Sequence, residues 1–135
     1  SSKKIDLTLK SEKNKLLIYR SPELIYGIRN FIGNAVKFSK NIVEIVIINN
    51  DDVLKIKIND DGPGFPNDIK EIIGEPYIRS KSAQVSSNSG TGLGTFLGKT
   101  LLERKSANLK FTRDKKLGGA SVIISWNIAD LNTNV

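Results

Sequence analysis

The 135 residues predict an α+β domain, a two-layer sandwich in which a mixed β-sheet is covered on one face by helices. Three observations carry that expectation. Short runs alternate apolar and polar residues with a period of two, most clearly Leu54-Lys55-Ile56-Lys57-Ile58-Asn59. Two longer stretches, 22–38 and 95–104, space their apolar residues as helices do. The order of these runs is two strands, helix, two strands, long loop, helix, two strands, which puts the helices on one side of a single sheet. At this length one core is expected, so residues 1–135 read as a single domain.

Composition narrows the function. Hydrophobic residues make up 39% and charged residues 26%, the balance of a globular chain. No apolar run approaches the roughly 20 residues of a membrane span, and nothing at the start resembles a signal peptide. Cysteine is absent, which excludes disulfides and thiol chemistry and fits a reducing cytosol. Histidine is absent too, so this chain has no imidazole for a triad, a zinc site or a proton shuttle. The net charge of +7 suits an anionic partner. However, six of the 21 basic residues fall in the first 20 positions, and no basic run is interleaved with aromatics, so no nucleic-acid partner is expected.

In chain order, Ile5, Leu7 and Leu9 alternate with Asp6, Thr8 and Lys10, an edge strand over 5–10, and 16–20 reads as a second short strand. Ser21-Pro22-Glu23 is a helix start, with serine as cap, proline at the first position and an acid in the first turn. The helix runs to about Phe38, with Leu24, Ile28, Phe31, Ile32 and Ala35 as its apolar face. Residues 42–48 and 53–60 are two strands joined by the polar turn Asn49-Asn50-Asp51-Asp52. A short helix over 67–73 follows, then a serine-rich loop from Gly74 to Gly90 whose length suits a mobile lid. Thr95 to Arg104 is helical, and 108–113 and 120–126 close the chain as a hairpin with Gly118-Gly119 near its turn. Trp126 belongs to the core or the sheet edge.

Three stretches carry chemistry. The period of strand 53–60 turns Asp60 inward and Asp61 to solvent, and Gly62-Pro63-Gly64 then makes a turn without bulk. A buried carboxylate needs donors: either local backbone satisfies it, or the exocyclic amine of an adenine does. Asn30, Asn34, Lys37 and Phe38 form one stripe of the long helix. Asparagine is a poor helix-interior residue, so the stripe is either a solvated face or a site where an amide oxygen ligates Mg²⁺ and a lysine meets phosphate. Gly90-Thr91-Gly92-Leu93-Gly94 feeds a helix start, where free N–H groups and the helix dipole favour an anion. It fits neither familiar phosphate loop. A P-loop needs glycine where Leu93 stands, and a dinucleotide fingerprint needs glycine where Thr95 stands.

Taken together, these motifs resemble the ATP-binding catalytic domain of sensor histidine kinases, within the broader family shared with gyrase, Hsp90 and MutL. The likeness spans residues 5–128. Asn30 through Phe38 is similar to the N box, Asp60 through Gly64 to the first glycine box, Gly90 through Gly94 to the second, and Gly118-Gly119-Ala120 to the last. Gly74-Glu75-Pro76-Tyr77 and Lys99-Thr100-Leu101-Leu102-Glu103-Arg104 resemble the redox-responsive RegB/PrrB kinases in particular.

The resemblance implies a set of roles. Asn34 ligates Mg²⁺ and, with Lys37, forms the catalytic pair at the phosphates. Asn30 lies in the same nucleotide site, and Phe38 lies against the adenine. Asp60 accepts from the adenine amine, with Gly62 and Gly64 making room. Tyr77, Arg79 and Lys81 belong to an ATP lid over about 74–90, and the two cations meet the terminal phosphates. Gly90, Thr91, Gly92, Leu93 and Gly94 wrap the triphosphate, and Ser121 helps at the base. ATPase relatives place a water-activating glutamate one turn before the Mg²⁺ asparagine. Here that position is Asn30, so γ-phosphate is kept for an incoming side chain. Pro76-Tyr77 replaces the usual phenylalanine of the lid. The implied activity is transfer of the γ-phosphate of Mg-ATP to a histidine on a separate dimerisation domain, and through it to a response regulator. The implied parent is dimeric and anchored in the inner (cell) membrane, with this domain cytoplasmic and monomeric by itself. A non-catalytic ATP-sensing module and an anti-sigma-type serine kinase share the fold.

Overall fold

The computed structural model describes residues 3–11, 18, 20–65 and 92–131, with Gly92 and Leu93 described by backbone alone. The described elements are β1 (Lys4–Ser11), α1 (Pro22–Phe38), β2 (Ile42–Asn49), β3 (Val53–Asp60), α2 (Gly92–Arg104), β4 (Asn108–Arg113), β5 (Ala120–Asn127) and α3 (Ile128–Leu131). The α+β reading holds: a five-stranded mixed sheet is covered by helices. Of the expected strand at 16–20, only 18 and 20 are described and neither is in a strand. The expected helix over 67–73 and loop over 74–90 lie outside the described residues.

The strand order is β1-β2-β3-β5-β4. β1 runs parallel to β2, with α1 as the crossover, and every other pairing is antiparallel. The register stacks like with like. One row across the sheet is Leu7, Ile45, Ile58, Val122 and Phe111, and the next is Leu9, Ile47, Ile56, Ile124 and Leu109. These rows face the helices, so the period of two seen in each strand becomes one continuous apolar face. Asp60 stands opposite Val43 at the end of that face, one step past Ile58. β1 forms the edge, and Ile5, Leu7 and Leu9 remain 52%, 67% and 66% exposed.

The local signals account for the helix ends. Ser21 Oγ accepts from the Leu24 N–H at 3.0 Å with Pro22 in the first turn, and Ser39 N–H closes the other end on the Ala35 carbonyl. α2 begins at Gly92, three residues before the expected start at Thr95. Glycine resists helix formation by itself, but here close packing on α1 compensates. A side chain at Gly94 would lie 3.2 Å from Asn30 Nδ2, and one at Gly98 would lie 3.2 Å from both Asn30 Oδ1 and the Phe31 ring. α2 ends in a Schellman turn, with Ala107 N–H on the Leu102 carbonyl, Ser106 N–H on the Glu103 carbonyl, and Ser106 at φ 72°. Phe31, Val43, Ile58, Leu102, Ile124 and Trp126 form the heart of the core, which places Trp126 inside.

Candidate functional site

A cleft opens between the C-terminal half of α1, the end of β3 and the start of α2. Asn34, Phe38, Asp60, Gly64, Phe65, Thr95 and Ala120 border it, with Phe31, Ile58 and Val122 of the core as its floor. Asp60 is there because the strand period carries it one step past Ile58 onto the inner face, and it is only 4% exposed. Its Oδ1 accepts from the N–H of Gly62 at 2.9 Å and of Ala120 at 3.2 Å. Both bonds fall on one oxygen, which leaves Oδ2 to accept from a ligand. Burial pushes the Asp60 carboxyl above its usual range; the two N–H donors oppose this, and Asp61 and Asp114 add to it.

The glycines flanking Asp60 are required by close approach. A side chain at Gly62 would strike the Phe38 carbonyl. One at Gly119 would strike the Asp60 carbonyl and carboxylate. Gly64 has φ 89°, a conformation that side chains disfavour, and Arg113 lies beside it, donating from Nη2 to the Pro63 carbonyl at 3.3 Å. The Phe65 and Phe31 rings pack on Phe111 at centroid distances of 5.7 and 5.8 Å, giving the cleft an aromatic flank. Such a floor suits a flat ring whose polar edge meets Asp60.

At the other end, Asn34 Nδ2 donates to Thr95 Oγ1 at 3.1 Å and to Asn30 Oδ1 at 3.4 Å. The Asn34 carbonyl oxygen has no donor among the described residues, so it is free to ligate a hard cation. That fits Mg²⁺, which takes one or two protein oxygens and completes its shell with phosphate and water. Among the described residues no three His, Cys, Asp or Glu side chains cluster as a metal cage. Asn30 lies one turn earlier, in the seam against Gly94 and Gly98. Lys37 is exposed at the rim, its ammonium 5.4 Å from the Phe38 ring centroid. Gly92, Leu93 and Gly94 form the first turn of α2, facing α1 through Gly94.

One expected contact is corrected. Ser121 pairs with Asn59 on β3 and shares its face, the side of the sheet away from Asp60. Its hydroxyl donates to Asn59 Oδ1 at 2.5 Å, in a network where Asn59 Nδ2 bonds Glu44 and Lys116 pairs with Glu44. The hydrogen bond from Asn59 and the charge of Lys116 hold the Glu44 carboxyl below its usual range against the cost of burial. It is the preceding residue, Ala120, that faces the cleft and donates its N–H to Asp60. Tyr77, Arg79, Lys81, Gly90 and Thr91 lie outside the described residues. Thr95, Gly119, Ala120 and Phe65 join the cleft beyond the residues expected of it. The signal for Thr95 is its place directly after the last glycine of the run, and for Ala120 its place directly after Gly118-Gly119.

Residues 20–130 match the family model described as "Histidine kinase-, DNA gyrase B-, and HSP90-like ATPase". The chain is 42% identical over 105 residues to the sensor histidine kinase RegB of Cereibacter sphaeroides, covering 74% of this chain and 23% of that protein. It is 29% identical over 108 residues to the sensor histidine kinase CpxA of Escherichia coli K12, covering 79% of this chain and again 23% of the relative. The chain thus spans about a quarter of the length of these relatives. Among solved structures, the mycobacterial sensor histidine kinase MprB superposes with a TM-score of 0.64 at 22% identity, over 91% of this chain and 81% of that one. That likeness speaks for the fold.

Proposed function

The chain belongs to the histidine kinase-, DNA gyrase B- and HSP90-like ATPase family, and from that membership we propose that it is the ATP-binding catalytic domain of a two-component sensor histidine kinase. The observation that carries the reading is the cleft, where a buried carboxylate with one oxygen to spare and an asparagine with an unused carbonyl share one apolar-floored groove.

Asp60 accepts from the adenine amine, Phe38 and Phe65 flank the ring, and Gly62 and Gly64 leave room for its edge. Asn34, through its carbonyl oxygen, would hold Mg²⁺, which would supply neutralisation of the phosphate charge. Lys37 at the rim meets phosphate charge. Gly92, Leu93 and Gly94 offer backbone N–H groups at the start of α2, and Gly90 and Thr91 are assigned to the same triphosphate. Tyr77, Arg79 and Lys81 complete the phosphate end. Asn30 cannot take a proton from water as a carboxylate does, so hydrolysis competes poorly with transfer.

Transfer needs an imidazole nitrogen whose lone pair attacks the γ-phosphorus while the bond to the β,γ-bridging oxygen breaks and ADP leaves with that electron pair. This chain has no histidine, so the acceptor comes from a dimerisation domain, and a response regulator takes the phosphoryl group onward. The domain acts in the cytoplasm for a dimeric parent anchored in the cell membrane. Among the described residues no helix is long and apolar enough to cross a membrane.

Incubating the chain with Mg²⁺ and γ-labelled ATP should leave it unlabelled, with little phosphate released. Adding a cognate histidine-bearing dimerisation domain should produce a label that is lost in acid. Brisk hydrolysis by the chain alone would point to an ATPase, acid-stable label on serine to a serine kinase, and nucleotide binding with no transfer to a sensing module.

A further inference from the structure

Two charged side chains outside the cleft hold the same stretch of backbone. The Lys3 ammonium donates to the carbonyls of Val36 at 2.7 Å and Ser39 at 2.8 Å, with Lys37 at 3.4 Å. These are carbonyls at the C-terminal end of α1, where the helix leaves acceptors unpaired and favours a cation. Next to it, the Lys4 N–H donates to the Asn41 carbonyl at 2.8 Å. From the other side, the Asp61 carboxylate accepts from the N–H of Lys40 at 2.8 Å, Asn41 at 3.1 Å and Ile42 at 3.2 Å. Lys3 thus takes carbonyls where the last turn of α1 passes into the α1–β2 connection, and Asp61 takes the N–H groups where that connection passes into β2.

Phe38 lies within the gripped stretch, and its carbonyl sits so close to Gly62 that no side chain fits between them. Its ring is one wall of the cleft, and Asp60, the neighbour of Asp61, is the polar group facing into it. Neither Lys3 nor Asp61 borders the cleft itself. We propose that Lys3 and Asp61 are positioning residues for the adenine end of the site: by fixing the α1–β2 connection from both sides they set the separation of the Phe38 wall from Asp60. The inference rests on the ATP-binding reading above. Charge-assisted hydrogen bonds to backbone are the strong kind, and a misplaced wall is felt directly by a rigid flat ligand.

The test uses the 135-residue chain with Lys3→Met, Lys3→Arg, Asp61→Ala and the double variant Lys3→Met/Asp61→Ala. Affinities for ATP and for inorganic tripolyphosphate, both with Mg²⁺, are measured by calorimetry well below the melting temperature. Lys3→Met and Asp61→Ala should each weaken ATP by about three- to tenfold and leave tripolyphosphate unchanged. Lys3→Arg should restore most of the ATP affinity. The double variant should lose less than the product of the single losses, because both act on one connection. Lower melting temperatures with unchanged ATP affinity would reduce the pair to a structural clamp and overturn the proposal. Equal weakening of ATP and tripolyphosphate would also overturn it, since the effect would not belong to the base. A wild-type chain that binds no ATP would instead remove the reading on which the proposal stands.

Discussion

Asp60 is buried at a cost that its neighbours only partly offset. Loss of water raises its carboxyl above the ordinary range, although Gly62 and Ala120 donate to it. A folded-state value above the unfolded value of about 3.9 means that its favourable contribution is complete below that pH and is lost as pH rises through the folded value. The ionised form is therefore disfavoured in the empty domain, and in the proposed function an adenine amine would relieve it. Asp60→Asn retains an acceptor for the two N–H groups and removes the charge. At pH 7 this variant should melt no lower than the wild type, and any gain should shrink as pH falls through the raised folded value and level off below about 4. Its ATP affinity should nevertheless drop at least about tenfold, because a hydrogen bond to a charged acceptor is worth about 1.5–3 kcal/mol. A clear fall in melting temperature at pH 7 would show that the carboxylate serves the fold instead of the ligand.

At the scale of elements, the helix–helix seam and the helix ends place the cleft. Gly27, Gly94 and Gly98 let α1 and α2 approach until Gly27 meets Leu102 and Gly98 meets Phe31, which holds Thr95 within reach of Asn34. The far end of α2 carries Ser106 in the left-handed region at φ 72°. That conformation costs a side-chain-bearing residue about 1–2 kcal/mol, while glycine adds roughly 0.5–1 kcal/mol of unfolded-state entropy. Ser106→Gly should thus stabilise the chain by about 0.5–1 kcal/mol, seen as a higher denaturant midpoint with an unchanged slope. A lower midpoint would mean that the serine side chain contributes more to the turn than its backbone strain costs.

At the scale of the whole molecule, the core of the described residues ends at β2. Ile5 and Val43 are register partners in adjacent strands, yet Val43 is 0% exposed and Ile5 52%. Truncating the first should leave stability within about 0.5 kcal/mol, whereas Val43→Ala removes methyl groups from a close-packed interior and should cost about 1–3 kcal/mol. Urea unfolding of Ile5→Ala and Val43→Ala would check this, and equal losses would place β1 inside the core. The polar side of the sheet is organised as well, since Ser121, Asn59, Glu44 and Lys116 form a linked set behind Asp60.

Much of this architecture was legible along the chain. The alternation in 53–60 put Asp60 inward, Ser21-Pro22-Glu23 marked the start of α1, and the 30–34–37–38 stripe placed two asparagines and Phe38 on one side of it. These signals are short-range, because a strand repeats every two residues and a helix every three or four. Even the position of Ser121 was there to be read, since Val122, Ile124 and Trp126 are the inward residues of β5 and leave Ser121 outward. What the chain alone did not disclose depends on residues far apart in sequence. Ala120 reaches Asp60 across 60 positions, Thr95 meets Asn34 across 61, and the α1–β2 connection is held by Lys3 from one side and Asp61 from the other. Strand register and close helix packing make those meetings, and neither leaves a local period behind.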